Sequence, residues 1–335
     1  MLLYLPKRGT KLMQELDFEQ PIAELERKIE EFRKFSAERG VPLDEELRRL
    51  EARREALVKE IFSKLTPWQR VQLARHPDRP TTLDYVRLMT EEFIQLHGDK
   101  HYSDDPAIIT GFATIGGQKL LLVGHEKGKT TKARVRHNFG MAHPEGFRKA
   151  LGKMRLAERL HLPVVTLIDT PGASCAVGAE ERGVAHAIAV NLMDMSRLRT
   201  PILCFVIGEG GSGGAIGIGL GDRVSIFENA YYSVITPEGC SAILWKSAER
   251  HRDAASALKL TAADLQRLGI VDEVIVEPIG GAHRRPEGAA QLLKETILRQ
   301  LSELRRVPID ELLENRYQKY RSIAYFSEDG ALTAP

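Results

Sequence analysis

Apolar positions in the first third of the chain recur at helical spacing. Ile22, Leu25, Ile29 and Phe32 lie three or four residues apart, and Leu43, Leu47, Leu50, Leu57 and Ile61 continue the rhythm. Gly40, Val41 and Pro42 punctuate the two patterns as a turn. The spacing predicts a helical hairpin with Glu45, Glu46, Arg48 and Arg49 on its outer face. It spans too few heptads for a long coiled coil, so its expected role is packing onto a main domain or a partner. A third helix is expected from Thr82, which can cap it, to about Leu96.

The texture changes at Ile108. Residues 108–115 and 119–123 read as strands joined by a Gly116-Gly117 turn. Pro144-Glu145 opens a helix with Phe147, Leu151, Met154 and Ala157 on its apolar face. Residues 164–168 form a buried-type strand. The next helix is expected to begin with Glu180 and Glu181, where the dipole favours acids, and to carry Val184, Ile188, Leu192, Met195 and Leu198 on one side. Then come a strand at 202–207, a glycine turn with a helix behind it, strands at 223–227 and 231–235, and a helix opening at Pro237. Residues 286–322 read as C-terminal helices, and the tail after Tyr325 is expected to be loose. Strands alternating with helices imply an α/β protein with a largely parallel sheet.

One pattern repeats. The strand at 164–168 runs into Asp169-Thr170-Pro171-Gly172-Ala173, and about forty residues later the strand at 202–207 runs into a stretch where five of residues 208–214 are glycine. Two such units in succession place two backbone turns side by side at the ends of neighbouring strands, where ligands of parallel sheets gather.

The glycine stretch fits three motifs. Gly208, Gly210 and Gly213 spell G-x-G-x-x-G, with Glu228 twenty residues beyond the first glycine, as in a dinucleotide fingerprint. The segment left for its helix is short and glycine-rich, which weakens that reading. Gly210, Ser212 and Gly214 spell the nucleophile elbow G-x-S-x-G, with Asp272 and His283 following in hydrolase order, but nothing in the sequence places His283 near Ser212. The third reading is an oxyanion hole, in which consecutive N–H groups at a helix start stabilise a developing anion. Gly213, Gly214 and Ala215 supply the small residues this needs, and the 169–173 turn is its other wall. A tight helix–strand contact explains the same glycines without a ligand.

Residues 124–130, GHEKGKT, resemble a phosphate-binding loop, but three residues separate the glycines where four are needed. A nucleotide-triphosphate site is therefore rejected. The segment is basic, with Lys127, Lys129, Lys132, Arg134 and Arg136. It is either a solvated charged face or a contact for phosphate or carboxylate groups.

The totals exclude some classes. The chain has 335 residues, 43% hydrophobic and 28% charged, which is ordinary for a soluble protein of one large or two modest domains. A net charge of +2 argues against binding nucleic acid over the whole surface. No apolar run is long enough for a membrane span. The opening MLLYLPKRGTK has too short an apolar core for a signal peptide. Cys175, Cys204 and Cys240 lie far apart, indicating neither a zinc site nor a disulfide framework. A cytoplasmic location is expected.

Taken together, DFEQPIAELE (17–26), ARHPDRPTTLDYVRLM (74–89), RHNFGMAHPEGFRKAL (136–151), IDTPGA (168–173), GAEERG (178–183), VIGEGGSGGAIGIG (206–219), SVITPEGCSAILWKSA (233–248) and EPIGGAHRRP (277–286) resemble the α-subunit family of acetyl-CoA carboxylase carboxyltransferases. The resemblance runs in order from about residue 17 to 320. It implies a crotonase-like (ClpP/crotonase) α/β fold of repeated ββα units, with the helical hairpin before it and helices after it. The implied domains are an N-terminal helical region at 1–80, the carboxyltransferase domain at 81–300, and a C-terminal helix and tail at 301–335.

The resemblance also implies the chemistry. Biotin is the cofactor, presented as carboxybiotin on the biotin carboxyl carrier protein. Its carboxyl group goes to acetyl-CoA, giving malonyl-CoA for fatty-acid synthesis. A β subunit completes the site and supplies a second oxyanion hole, in an α2β2 heterotetramer. ATP is used by a separate biotin carboxylase component. No metal is expected in this chain, a zinc ribbon being a feature of the β partner. Gly213 and Gly214 match the family positions whose N–H groups stabilise the ureido oxygen of biotin. Gly172, Ala173, Gly210, Gly211 and Ala215 are expected around the substrate, with Lys127 and Lys129 as further candidates for contact. The family usually follows T-P-G-A with Tyr-Pro-Gly, where this chain has Ser174, Cys175 and Ala176. That departure loses an aromatic ring and a φ-fixing proline. It leaves Cys175 either as a reactive thiol or as a space-filler. The competing readings are a structural subunit whose altered loop has lost catalysis, and a serine hydrolase using Ser212.

Overall fold

In the computed structural model, residues 15–40, 42–323, 326–328 and 331–333 are described. Two compact units are distinguished, one ending at Leu65 and including His76–Asp78, the other holding Thr66–Arg75 and everything from Arg79. In the first, α1 (Gln20–Arg39) and α2 (Asp44–Ser63) form the expected hairpin. The chain leaves α1 at Gly40, whose φ of 64° is a left-handed cap that glycine adopts without strain. Ile22, Leu25 and Ile29 are buried, whereas Phe32 is exposed and the apolar row of α2 is half-buried. The signal-peptide reading of the first eleven residues lies outside the described residues.

The second unit begins with α3 (Pro67–Ala74) and α4 (Thr82–Met89). The first of these opens with a reciprocal capping box between Thr66 and Gln69. The helix expected to run from Thr82 to Leu96 stops at Met89. Thr90 is extended, and Glu92–Leu96 becomes strand β1, antiparallel to β2 (Ile108–Ile115). Pairing along β2 overrides a sequence that fits either period. Strand β2 turns at Gly116 and Gly117, with φ of 55° and 72°, into β3 (Gln118–His125).

From there the chain winds through α5 (Thr131–Arg136), α6 (Pro144–Arg159), β4 (Val164–Thr170), α7 (Val177–Glu181), α8 (Val184–Met195), β5 (Ile202–Gly211), α9 (Ser212–Ile216), β6 (Arg223–Phe227) and β7 (Tyr231–Ser233). Helices α10 (Pro237–Trp245), α11 (His251–Ala257) and α12 (Ala262–Arg267) precede β8 (Glu273–Ile275), and α13 (Pro286–Leu304) and α14 (Ile309–Arg321) follow it. The sheet order is β1-β2-β3-β4-β5-β6-β8, with β7 pairing the end of β5, and every pair from β3 onward is parallel. The expected helix at Glu180 is divided. Gly183, at φ 77°, separates α7 from α8, so the two glutamates belong to a short helix of their own. In the expected loose tail, Phe326–Glu328 pairs antiparallel with Ala331–Thr333, and the other residues beyond 323 lie outside the description.

Strands β4 and β5 are buried along their whole length. Their side chains form one core with Phe147 and Met154 of α6, Val184 and Met195 of α8, and Leu293 and Ile297 of α13. Burial on both faces is what a parallel sheet covered by helices requires. Arg316 anchors α14 from within, meeting Asp222 through Nε at 2.7 Å and Nη2 at 2.8 Å and donating to three carbonyl groups. No helix among the described residues is long and apolar enough to cross a membrane.

Candidate active site

The two turns read from the sequence stand side by side. Strands β4 and β5 run in register to Ile168, the ladder slips, and pairing resumes with Thr170 opposite Gly210. Asp169 sits in the gap, where its Oδ1 accepts the Glu209 N–H at 2.9 Å. The turn after β4 is closed locally, with Thr170 Oγ1 donating to the Gly172 carbonyl at 2.6 Å.

The glycines differ in why they must be small. A Cβ at Gly211 would stand 2.1 Å from the Pro171 oxygen, and one at Gly214 would stand 2.3 Å from the Gly172 carbonyl carbon. These two residues let the turns interlock backbone to backbone. A Cβ at Gly208 would strike Asp169 Oδ1 at 2.4 Å, and one at Gly210 would crowd Tyr232 at 2.9 Å. Gly213 alone in this stretch meets nothing nearer than the end of Ile188, at 3.4 Å.

Helix α9 starts here. Capped at Gly211, it leaves the N–H groups of Ser212, Gly213 and Gly214 without intrahelical acceptors, and no side chain caps them among the described residues. Ser212 holds a φ of 49°, a left-handed value that costs a non-glycine residue about 1–2 kcal/mol. Ser212 and Gly213 open onto a mostly apolar cavity of about 360 Å³, lined also by Ile216, Tyr232, Val234 and Ile270. The structure therefore gathers Gly172, Ala173, Gly210, Gly211, Gly213, Gly214 and Ala215 in one place.

Beneath the turns lies a polar network that sequence reasoning missed. Lys127 Nζ is 2.7 Å from Asp169 Oδ1 and 2.5 Å from Glu209 Oε2. Arg75 Nε meets Glu209 Oε1 at 2.7 Å, and Tyr231 donates to the same oxygen at 2.7 Å. Arg75 then reaches Glu238 at 2.6 Å. Burial pushes the Glu209 carboxyl up, but Lys127 and Arg75 pull harder and leave it at about 2. Burial dominates at Asp169, whose carboxyl is held above its usual range despite the neighbouring ammonium. The partners come from the ends of β3, β4, β5, α3, β7 and α10, so no local spacing reveals them. The available signal was that Asp169 and Glu209 occupy matching places at the ends of adjacent strands.

His125 is fully buried below α9. Neither ring nitrogen has a partner at hydrogen-bond geometry among the described residues. Burial lowers its pKa to about 3, the carbonyl groups of Gly214 and Leu167 opposing this only weakly, so the ring is neutral.

The other motif readings fare differently. Glu126 fills the 124–130 loop with the chain's own carboxylate, accepting the Gly128 N–H at 2.8 Å and the Leu83 N–H at 2.9 Å. Lys129 turns away to Asp84, at 2.5 Å. The hydrolase constellation is not assembled. Asp272 accepts the Val224 N–H, and Val224 is level with Cys204, eight residues before Ser212 along β5. Asp272 also pairs with Lys319, so its carboxylate is held by groups outside the proposed triad. The dinucleotide reading fails on form, since β5 continues to Gly211 and the helix behind it has five residues. Cys175 is exposed and so fills no core space.

Residues 15–324 match the model of the acetyl co-enzyme A carboxylase carboxyltransferase-like family. The chain is 55% identical over 313 residues to the acetyl-coenzyme A carboxylase carboxyl transferase subunit alpha of Thioalkalivibrio sulfidiphilus, covering 93% of this chain and 98% of the relative. It is 52% identical to the protein of the same name from Rhodopirellula baltica, covering 94% and 98%. Among solved structures, transcarboxylase 12S superposes with a TM-score of 0.51 at 19% identity, over 65% of this chain and 42% of that one. The beta subunit of Pseudomonas aeruginosa geranyl-CoA carboxylase gives 0.53 at 17% identity, over 74% and 46%. This chain thus matches less than half the length of either solved chain, and these likenesses establish a crotonase-like α/β fold. The chain belongs to the acetyl-CoA carboxylase carboxyltransferase-like family.

Proposed function

We propose that this chain is the part of an acetyl-CoA carboxylase carboxyltransferase that receives the biotin end of the reaction, with the N–H groups of Gly213 and Gly214 as its oxyanion donors. Carboxybiotin, borne on a carrier protein, supplies the carboxyl group and leaves negative charge on its ureido oxygen. Two backbone donors fixed in place before the charge develops lower the barrier without reorganising, and one such donor is worth about 3–4 kcal/mol. The residues present suit an uncharged ring system with one oxygen to be stabilised, because a mostly apolar cavity opens at Gly213, where the first N–H groups of α9 have no side-chain cap among the described residues.

The observation that carries this reading is Gly213. The other glycines of residues 208–214 are small because something touches them, whereas Gly213 faces the cavity and only the tip of Ile188. Its smallness is explained by a visitor rather than by the fold. Acetyl-CoA is the acceptor and malonyl-CoA the product, destined for fatty-acid synthesis. Val234 at the cavity and Ile243 and Leu244 on α10 are 77%, 72% and 62% exposed, which suits a β subunit seated there to complete the site in an α2β2 assembly. Three free cysteines suit the cytoplasm.

The test is Gly213→Ala in the complete α–β complex. Alanine favours the helix and fits beside Ile188, so the fold should hold while malonyl-CoA formation falls about tenfold or more. Wild-type turnover in that variant would overturn the assignment. The isolated chain should transfer nothing to acetyl-CoA until the β subunit and carboxylated carrier are added.

A further inference from the structure

We propose that Lys127 is a positioning residue, whose ammonium sets the spacing between the two turns by tying the first residue of one to the residue that leads into the other. This rests on the reading of Gly213 and Gly214 given above.

The ladder between β4 and β5 slips between Ile168 and Thr170, so backbone pairing does not bridge Asp169 and Glu209 before it resumes at Thr170 and Gly210. Side chains do so instead. Asp169 Oδ1 accepts the Glu209 N–H at 2.9 Å, and Lys127 Nζ bridges Asp169 Oδ1 and Glu209 Oε2 at 2.7 and 2.5 Å. The lysine stem is itself confined, since a Cβ at Gly140 would lie 2.9 Å from its Cγ and 2.9 Å from the Asp169 carbonyl oxygen. Gly140 ends a run of three left-handed residues, with φ of 45° at Asn138, 55° at Phe139 and 83° at Gly140. That run folds the 138–140 backbone against the lysine.

A role in gripping a substrate phosphate fits less well. The side chain is only 17% exposed, and its ammonium already serves two carboxylates. Those carboxylates outweigh its charge until Arg75 balances them. Without the ammonium, two buried acids would face each other across a single backbone N–H. They would move apart or one would take up a proton, and either event shifts Glu209 and the turn that follows it. The N–H groups of Gly213 and Gly214 would then no longer converge on the reacting oxygen.

The experiment compares Lys127→Met, Asp169→Asn and the double variant in the complete α–β complex, measuring malonyl-CoA formation from acetyl-CoA and carboxylated carrier. Lys127→Met should lower kcat at least tenfold, with KM for acetyl-CoA within twofold of wild type and the complex still assembled by size-exclusion chromatography. Adding Asp169→Asn removes one of the opposed charges and should restore part of the lost kcat. A raised KM with kcat retained would identify a direct substrate ligand and overturn the proposal. So would a kcat loss that Asp169→Asn does not relieve. If Lys127→Met does not assemble, Lys127→Arg takes its place: the longer fork should assemble, lower kcat and leave KM alone, and wild-type kcat there would overturn the proposal. Gly213→Ala is run alongside. Wild-type turnover in that variant defeats the oxyanion reading itself, whereas a defective Gly213→Ala beside a fully active lysine variant defeats only the role of Lys127.

Discussion

Two glycine-bearing loops leave the same edge of the sheet, one after β3 and one after β5, and only one of them keeps its donors open. Both combine glycine, small residues and a following helix, and both look like anion cradles in sequence. After β3 the chain supplies its own anion, with Glu126 occupying the N–H groups of Gly128 and Leu83. After β5 the acidic residue at the corresponding place, Glu209, is drawn downward by Lys127, Arg75 and Tyr231. The first N–H groups of α9 are left without a side-chain cap. An anion site is therefore decided less by glycine content than by where the neighbouring carboxylate is held.

The sharpest break of this contrast is Gly214→Ala. Its Cβ would drive into the Gly172 backbone, which cannot yield as a side-chain end can. Transfer should vanish, and stability should fall by roughly 1–3 kcal/mol, read as a lower denaturant midpoint. This variant mixes folding with chemistry. Gly213→Ala separates them, with an unchanged midpoint and about a tenfold loss of turnover. An equal loss of stability in both variants would show that the two glycines serve packing alike.

The third test concerns His125, which ends β3 and lies under α9, joining the two regions. Its pKa falls from an ordinary 6.5 to about 3 on folding because burial disfavours the charged ring, with Lys127 adding to the effect. Between those values the unfolded chain binds the extra proton, so stability rises with pH by about 1.4 kcal/mol per unit from this group. The contribution is complete above pH 6.5 and drains away as pH falls toward 3. Urea unfolding at pH 7, 6 and 5 should show a gentler pH slope for His125→Gln than for wild type, and equal slopes would refute the assignment. The smallest expected effect is at Glu126→Gln, where weaker acceptance of two N–H groups should cost about 1 kcal/mol and leave kcat close to wild type. A turnover loss as large as that of Gly213→Ala would mean that the β3 loop, too, belongs to the reaction.

Much of the architecture was written in local periodicity. The hairpin, the strands β2 to β7 and the proline-opened helices α6, α10 and α13 could all be read within a dozen residues, whereas the short β8 could not. Misreadings fell where local signals were balanced. Glu92–Leu96 suits a helix or a strand, and only the presence of β2 decides it. Glu180 and Glu181 read locally as the start of the long helix, and the left-handed Gly183 breaks it just after them. In the site, the paired turns followed from the repeated strand–turn pattern. The network below did not, because Arg75 and Glu238 meet across 163 residues of sequence. Lys127 was legible as a charge near the site, but its two carboxylate neighbours were not.

The interlock of the two turns also determines where the molecule can be altered. At Gly211 and Gly214 no smaller residue exists to exchange, and the contacted atoms are backbone, so no compensating substitution in the 169–173 turn can make room. Just past that turn, Cys175, Ala176 and Val177 face solvent. The chain thus separates a tight interlock of two turns from an editable rim. Anyone seeking to graft a different loop beside this site should begin at Cys175 and leave residues 169–174 untouched.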